Sequence, residues 1–116
     1  MEPTILCTDL YLRLGDDELL VIDCRNPSEW ERHALHIPGA LRMSPSEVAR
    51  DHRMLPDDEL IVLCGCSSDG ADLRRVCRLL RMHGRDAVCL DGGLQAWIRG
   101  GYPTERHARA PVAAQR

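Results

Sequence analysis

The feature that most constrains the fold of this chain is its alternation of short apolar runs with amphipathic segments. Apolar runs occur at residues 19–22, 60–63 and 87–90, and helix-like segments lie between them. Such short runs are typical of strands buried on both faces, as in a parallel sheet covered by helices. With 116 residues the chain can build one core. We therefore predict a single α/β domain in three layers, with a central parallel sheet of about five strands flanked by helices.

Capping sequences predict where several helices begin. Asn26 and Ser44 each precede a proline and stand three residues before a glutamate, which is the pattern of a capping box with proline in the first turn. A first helix is expected to be capped by Thr8 or Asp9 and to run to about Leu14. A weak strand is expected at residues 40–43.

The longest predicted helix follows the most apolar strand. Leu73, Val76, Cys77 and Leu80 are spaced i, i+3, i+4 and i+7, which places them on one buried face. Gly84 is expected to end this helix.

Composition and charge exclude several classes of function. The net charge is −3, and all 15 basic residues are arginines scattered among acids, so nucleic-acid binding is not expected. No run reaches the roughly 18 apolar residues of a membrane span, and the N-terminus does not resemble a signal peptide. We expect a cytoplasmic protein that does not bind membranes and whose six cysteines are reduced thiols. No Cys-x-x-Cys pair or Cys/His cluster suggests a metal.

The turn between the apolar strand at 60–63 and the long helix is the expected site of chemistry. In parallel α/β sheets, ligands bind outside the carboxyl ends of the strands. A loop of small residues there allows several backbone N–H groups to surround one sulfur and stabilise a thiolate. The same loop also fits cysteines that only fill space. The loop consists of Cys64, Gly65, Cys66, Ser67, Ser68, Asp69 and Gly70.

Three separated motifs surround this loop. The first is Val21-Ile22-Asp23-Cys24-Arg25, the second is Glu29-Trp30 followed by His36-Ile37-Pro38-Gly39-Ala40, and the third is Asp91-Gly92-Gly93-Leu94-Gln95-Ala96-Trp97 with Gly101-Tyr102-Pro103. In this order the motifs resemble the rhodanese-like family along almost the whole chain.

We expect a rhodanese-like domain at residues 1–106, followed by a disordered tail at 107–116. The resemblance implies a sulfurtransferase that needs no cofactor and moves a sulfane sulfur through a cysteine persulfide in loop 64–70. The donor would be a small persulfide-type molecule or thiosulfate, and the acceptor a thiol, another nucleophile or a protein. The alternative is an inactive binding or regulatory module of the same fold.

The loop departs from the family pattern. Many active rhodaneses resemble Cys-x-x-Gly-x-Arg-Ser, but no Arg or Lys lies between Cys64 and Leu73, where Asp69 and Asp72 stand instead. We therefore expect weak thiosulfate activity. A phosphatase or arsenate reductase would need an arginine near the end of the loop.

Either loop cysteine is a candidate for the sulfur carrier. We prefer Cys64 because it directly follows the strand, at a rigid point. Cys66 is the alternative because its distance from the long helix is closer to the loop length usual in the family.

The remaining motif residues are expected to have structural roles. We expect Asp23, Arg25 and Glu29 to form an ion-pair cluster, and His36 to be a hydrogen-bonded turn residue. We expect a tight turn at Gly92 and Gly93, and a place in the core for Trp97.

Overall fold

The main feature of the fold is a five-stranded parallel sheet between two layers of helices. The structure is a computed structural model that describes residues 3–66 and 70–107. The strand order is β1-β6-β5-β2-β4, and every pair in it is parallel. This confirms the predicted three-layer architecture. The strands are β1 Thr4–Ile5, β2 Leu19–Asp23, β3 Leu35–His36, β4 Leu41–Arg42, β5 Leu60–Cys64, β6 Asp86–Leu90 and β7 Glu105–Arg106; the helices are α1 Cys7–Arg13, α2 Pro27–Arg32, α3 Pro45–Asp51, α4 Ala71–Met82 and α5 Gly93–Arg99.

The central strands bury both of their faces, since successive side chains point to opposite sides of a sheet. In β5, Ile61 and Leu63 face the layer formed by α3 and α4, whereas Val62 and Cys64 face the layer that contains α1 and α5. On α4, the four residues predicted from helical spacing are all buried. The two hydrophobic clusters therefore meet only through the sheet.

The predicted caps are confirmed for α2 and α3 and wrong for α1. Asn26 and Ser44 each accept a hydrogen bond from the third residue of their helix, and the glutamate at that position bonds back to the cap. Helix α1 begins at Cys7, after Leu6, with no side-chain cap. Burial of Leu10 against the sheet holds this helix in place instead of a cap.

Three short strands were not predicted. β1 adds an edge to the sheet beside β6, and β3 pairs with β7 as a separate antiparallel ribbon. Each is two residues long, which is too short for a period of two to be visible in the sequence.

A buried ion pair lies at the carboxyl edge of the sheet. The Arg25 guanidinium binds both carboxylate oxygens of Asp23, at 2.7 Å from Nη2 and 2.9 Å from Nε. Its remaining N–H groups donate to the backbone carbonyls of His33 and Leu35, each at 3.1 Å. The predicted inclusion of Glu29 is wrong, because its carboxylate completes the α2 capping box.

The end of the described chain packs on Trp30. The ring of His107 stacks on Trp30 with centroids 3.6 Å apart, and its backbone N–H donates to the carbonyl of Ala34. These contacts hold His107, the first residue of the predicted tail, against an aromatic face. The rest of the predicted tail, residues 108–116, lies outside the described residues.

The imidazoles of His36 and His107 share one hydrogen bond. Nε2 of His107 lies 3.2 Å from the carbonyl oxygen of Trp30, which can only accept, so this nitrogen carries the proton. Neutral His107 then accepts at Nδ1, which is 3.2 Å from Nδ1 of His36. His36 therefore makes the predicted hydrogen bond, but it lies in strand β3 and not in a turn.

Two further properties concern the described residues as a whole. Within residues 3–66 and 70–107, no helix is long and apolar enough to cross a membrane. In the same part of the chain, no three His, Cys, Asp or Glu side chains converge in a way that could hold a metal ion.

We predict that Arg25→Ala lowers the free energy of unfolding by about 3 kcal/mol, because it leaves the buried Asp23 carboxylate without its partner. Arg25→Lys should also destabilise, since an ammonium cannot bind the carboxylate and two carbonyls together. Urea denaturation measures both. Arg75→Ala, which breaks an exposed pair with Asp72, is the matched control and should cost much less. Equal losses in Arg25→Ala and Arg75→Ala would contradict this account of the buried pair.

We also predict that stability falls as pH drops below about 6.5. Burial lowers the pKa of His107, and the nearby charges of Arg25 and His36 lower it further. Below the ordinary histidine pKa, the unfolded chain therefore binds a proton that the folded chain resists.

Thermal unfolding between pH 7.5 and 5 tests this prediction. His107→Phe keeps an aromatic ring but cannot titrate, so its stability should depend less on pH than that of the parent. His33→Gln alters an exposed histidine and should leave the pH dependence unchanged. A parent-like slope in His107→Phe would rule out His107 as the cause.

Candidate active site

A cavity of about 210 Å³ lies at the carboxyl edge of the sheet, where parallel α/β folds bind their ligands. It contains the start of the cysteine loop, the first turn of α4 and the segment that follows β2. Its lining residues are Cys24, Asn26, Glu29, Pro45, Gly65, Cys66, Gly70, Ala71, Asp72 and Leu73. A second hollow, at the amino end of β2, is lined by residues that include Leu14 and Pro38 and contains no cysteine.

Cys66 is the loop cysteine that lines the cavity. It is partly exposed, and its backbone is held on α5 by a hydrogen bond of 3.0 Å from the Gln95 N–H to its carbonyl oxygen. The Leu94 N–H makes the same kind of bond to Gly65, at 2.8 Å. These two bonds fix the backbone that carries the thiol. Cys66 can therefore meet a solute while its own position is held.

Cys64 is not part of the cavity, so our preference for it as sulfur carrier is not supported. Only 1% of the residue is exposed, and it packs in the cluster that contains Trp97. Burial raises the pKa of the Cys64 thiol well above its ordinary value, and the negative charge of Asp23 raises it further. Cys64 packs in the cluster on the α1 and α5 side of the sheet, whereas the cavity-lining residues Cys24 and Leu73 belong to the cluster on the other side.

Cys24 belongs to the hydrophobic core and also forms part of the cavity wall. Its backbone N–H donates to the carbonyl of Cys64 at 2.8 Å. Burial raises the pKa of its thiol to about 12, which makes it a poor nucleophile. The rule that strand ends share one edge of a parallel sheet could have located Cys24, because it directly follows β2.

Among the described residues, the charged ones that line the cavity are Glu29 and Asp72. Glu29 receives a hydrogen bond from the Asn26 N–H, and Asp72 pairs with Arg75 in an exposed contact of 3.1 Å. Among the lining residues that the structure describes, none is an arginine or a lysine. The described part of the wall therefore contains acidic side chains and no basic ones.

The third motif forms the turn into α5, the helix that holds the cysteine loop. Gly92 and Gly93 adopt positive φ angles of 76° and 63°, which confirms the predicted tight turn into α5. A Cβ atom on Gly92 would lie 2.5 Å from the Cβ of Ala96. Trp97 is fully buried, as predicted, and its indole N–H donates to the carbonyl of Pro103 at 2.7 Å.

The structure brings some predicted site residues together and separates others. Gly65 and Gly70 line the cavity beside Cys66, whereas Asp23, Arg25 and His36 do not. Gln95 reaches the sulfur of Cys66 and was not predicted, because its sequence context contains no local sign of that contact. The predicted binding residues Ser67, Ser68 and Asp69 lie outside the described residues.

Comparisons with known proteins agree with this arrangement. A sequence profile described as the rhodanese-like domain matches residues 6–99. The comparison with curated proteins gives no match.

Several solved structures are similar to this chain in sequence and fold. A rhodanese-related protein from Thermoplasma volcanium is 25% identical with a TM-score of 0.75, and the match covers 89% of this chain and 97% of that one. A rhodanese-like domain from Anabaena is 32% identical with a TM-score of 0.73, covering 96% and 86%. A thiosulfate sulfurtransferase from Pseudomonas aeruginosa is 30% identical with a TM-score of 0.76, covering 92% of this chain but 20% of that enzyme.

Proposed function

The chain belongs to the rhodanese-like domain family, and from that premise we propose that it is a sulfurtransferase that carries sulfane sulfur on Cys66. The observation that supports this most directly is the position of Cys66. It is the partly exposed thiol in a cavity at the carboxyl edge of the sheet, between β5 and α4. Cys24 and Cys64 are both buried, with raised pKa values that disfavour a thiolate at either position.

The proposed reaction has two displacement steps. The Cys66 thiolate attacks the outer sulfur of a persulfide donor, forms a new S–S bond, and expels the donor thiolate. The donor's S–S bond breaks in the same step. An acceptor thiolate then attacks the terminal sulfur, becomes a persulfide, and releases the Cys66 thiolate. Sulfur enters and leaves in the same oxidation state, so the cycle needs no cofactor.

The charge of the cavity wall favours persulfide donors over thiosulfate. Each close pair of like unit charges costs about 1 kcal/mol at a solvent-like dielectric, and thiosulfate is a dianion. Glu29 and Asp72 line the wall, and Asp72 is partly neutralised by Arg75. We propose a small persulfide-type molecule as donor and a thiol, carried by a small molecule or a protein, as acceptor.

The state of the cysteines suggests a compartment. All six lie in the described part of the chain, and none of them forms a disulfide. We propose that the protein works in the cytoplasm, since reducing conditions there keep thiols and the persulfide acceptor available.

A binding or regulatory module is the second candidate. The observation that favours it is the cavity wall, in which no described lining residue is a cation able to hold an anionic donor. The two candidates differ in one measurable property, which is whether any cysteine gains a sulfur atom from a donor.

We predict that Cys66→Ser abolishes sulfur loading and that Cys64→Ser retains it. Each variant is treated with a persulfide donor, and peptide mass spectrometry locates any added 32 Da. Cys77→Ser, a buried cysteine on α4, is the matched control and should load normally. Loading that survives in Cys66→Ser and disappears in Cys64→Ser would return the role to Cys64. Failure of the unmodified chain to load from any donor would favour the binding module.

We predict more loading of Cys66 from glutathione persulfide than from thiosulfate. Asp72→Asn removes one negative charge from the wall and should raise thiosulfate loading by about threefold to fivefold, the effect of roughly 1 kcal/mol. The control is Asp57→Asn, the same change in the exposed turn before β5, and it should have no effect. Faster loading from thiosulfate in the unmodified chain would overturn the charge argument.

A further inference from the structure

We propose that Gln95 is a positioning residue whose side-chain amide donates a hydrogen bond to the sulfur of Cys66 during sulfur transfer. This inference rests on the proposed function, since it concerns the sulfur atom that would become the thiolate and then the persulfide. The side-chain Nε2 of Gln95 lies 3.9 Å from Sγ of Cys66.

Gln95 contacts Cys66 at two points. Besides the side-chain contact, its backbone N–H donates to the Cys66 carbonyl at 3.0 Å. The backbone bond fixes the distance between the two residues, so the side-chain amide stays close to the sulfur. The neighbouring bond from Leu94 to Gly65 holds the preceding peptide in the same way. The site therefore carries a donor that is already near its acceptor.

The chemistry of the sulfur sets the orientation of the amide. A thiolate or an ionised persulfide accepts hydrogen bonds and donates none, so Gln95 must present its NH₂ group rather than its carbonyl oxygen. Hydrogen bonds to charged groups are shorter and stronger than those between neutral partners. The contact should therefore tighten when Cys66 ionises.

The Gln95 amide is a neutral hydrogen-bond donor beside a cavity wall that contains carboxylates. The described wall contains the carboxylates of Glu29 and Asp72, and its described lining includes no arginine or lysine. An amide donor stabilises the anion and adds no net charge. Gln95 is an exposed residue on the first turn of α5 and is not one of the residues that line the cavity.

The test measures the reactivity of Cys66 directly, as the rate of alkylation by iodoacetamide between pH 5 and 9. Fragment ions that separate Cys66 from Cys64 give the rate at each site. Gln95→Ala and Gln95→Met both remove the donor, and Gln95→Met keeps the length of the side chain. In both, alkylation of Cys66 at pH 7 should slow by about threefold to tenfold, and its pH profile should move to higher pH.

Two further variants sharpen the comparison. Gln95→Glu replaces the donor with an anion and should shift the profile further than Gln95→Met. Arg99→Ala changes an exposed residue at the end of the same helix and should leave the profile unchanged. A parent-like profile in Gln95→Met would show that side-chain length, not a hydrogen bond, is what matters, and would overturn the inference.

Sulfur loading is measured on the same variants, which separates the two proposals. Alkylation requires no sulfur transfer, so a Gln95-dependent profile in a protein that never loads sulfur would refute the proposed function and keep the hydrogen bond. Normal loading with a profile insensitive to Gln95 would refute the hydrogen bond and keep the proposed function.

Discussion

The buried pair of Asp23 and Arg25 is the interaction on which the carboxyl edge of the sheet depends. Asp23 ends β2 and lies in register with Cys64 on one side and Arg42 on the other. Arg25 joins it to the segment after α2 through the carbonyls of His33 and Leu35. The ion pair therefore joins the end of β2, which pairs with β4 and β5, to the segment that follows α2. Its side chains are 0% and 3% exposed, so removal of either partner leaves a charge that water cannot reach.

This edge separates the roles of two cysteines that are two residues apart. Cys64 is the last residue of β5 and is buried beneath α1 and α5, while Cys66 lies beyond the strand and faces the cavity. The bonds from α5 to Gly65 and Cys66 hold the turn that makes this change of direction. The positive φ angle of Gly92 lets α5 begin close enough to provide those bonds. Helix α5, which follows β6, thus positions the thiol of Cys66, which follows β5.

The prediction of the fold succeeded where a local pattern reports on a local structure. The capping boxes at Asn26 and Ser44 and the buried face of α4 depend on neighbours within a few residues, so the sequence displays them. The short ribbon of β3 and β7 depends on residues about 70 positions apart, and two residues per strand leave no period to detect. The contact between His107 and Trp30 was not predicted for the same reason, because the two residues are distant in the sequence.

The sequence by itself determined the family, the layered α/β fold and the loop that bears the thiols, since motif order and local periodicity require no knowledge of distant contacts. Only the tertiary structure decided which thiol faces the cavity. Both faces of β5 are buried and apolar, so the hydropathy of residues 60–64 does not show which layer of helices Cys64 faces. The packing of α5 against the loop sets that direction, and it also brings Gln95 to the sulfur of Cys66.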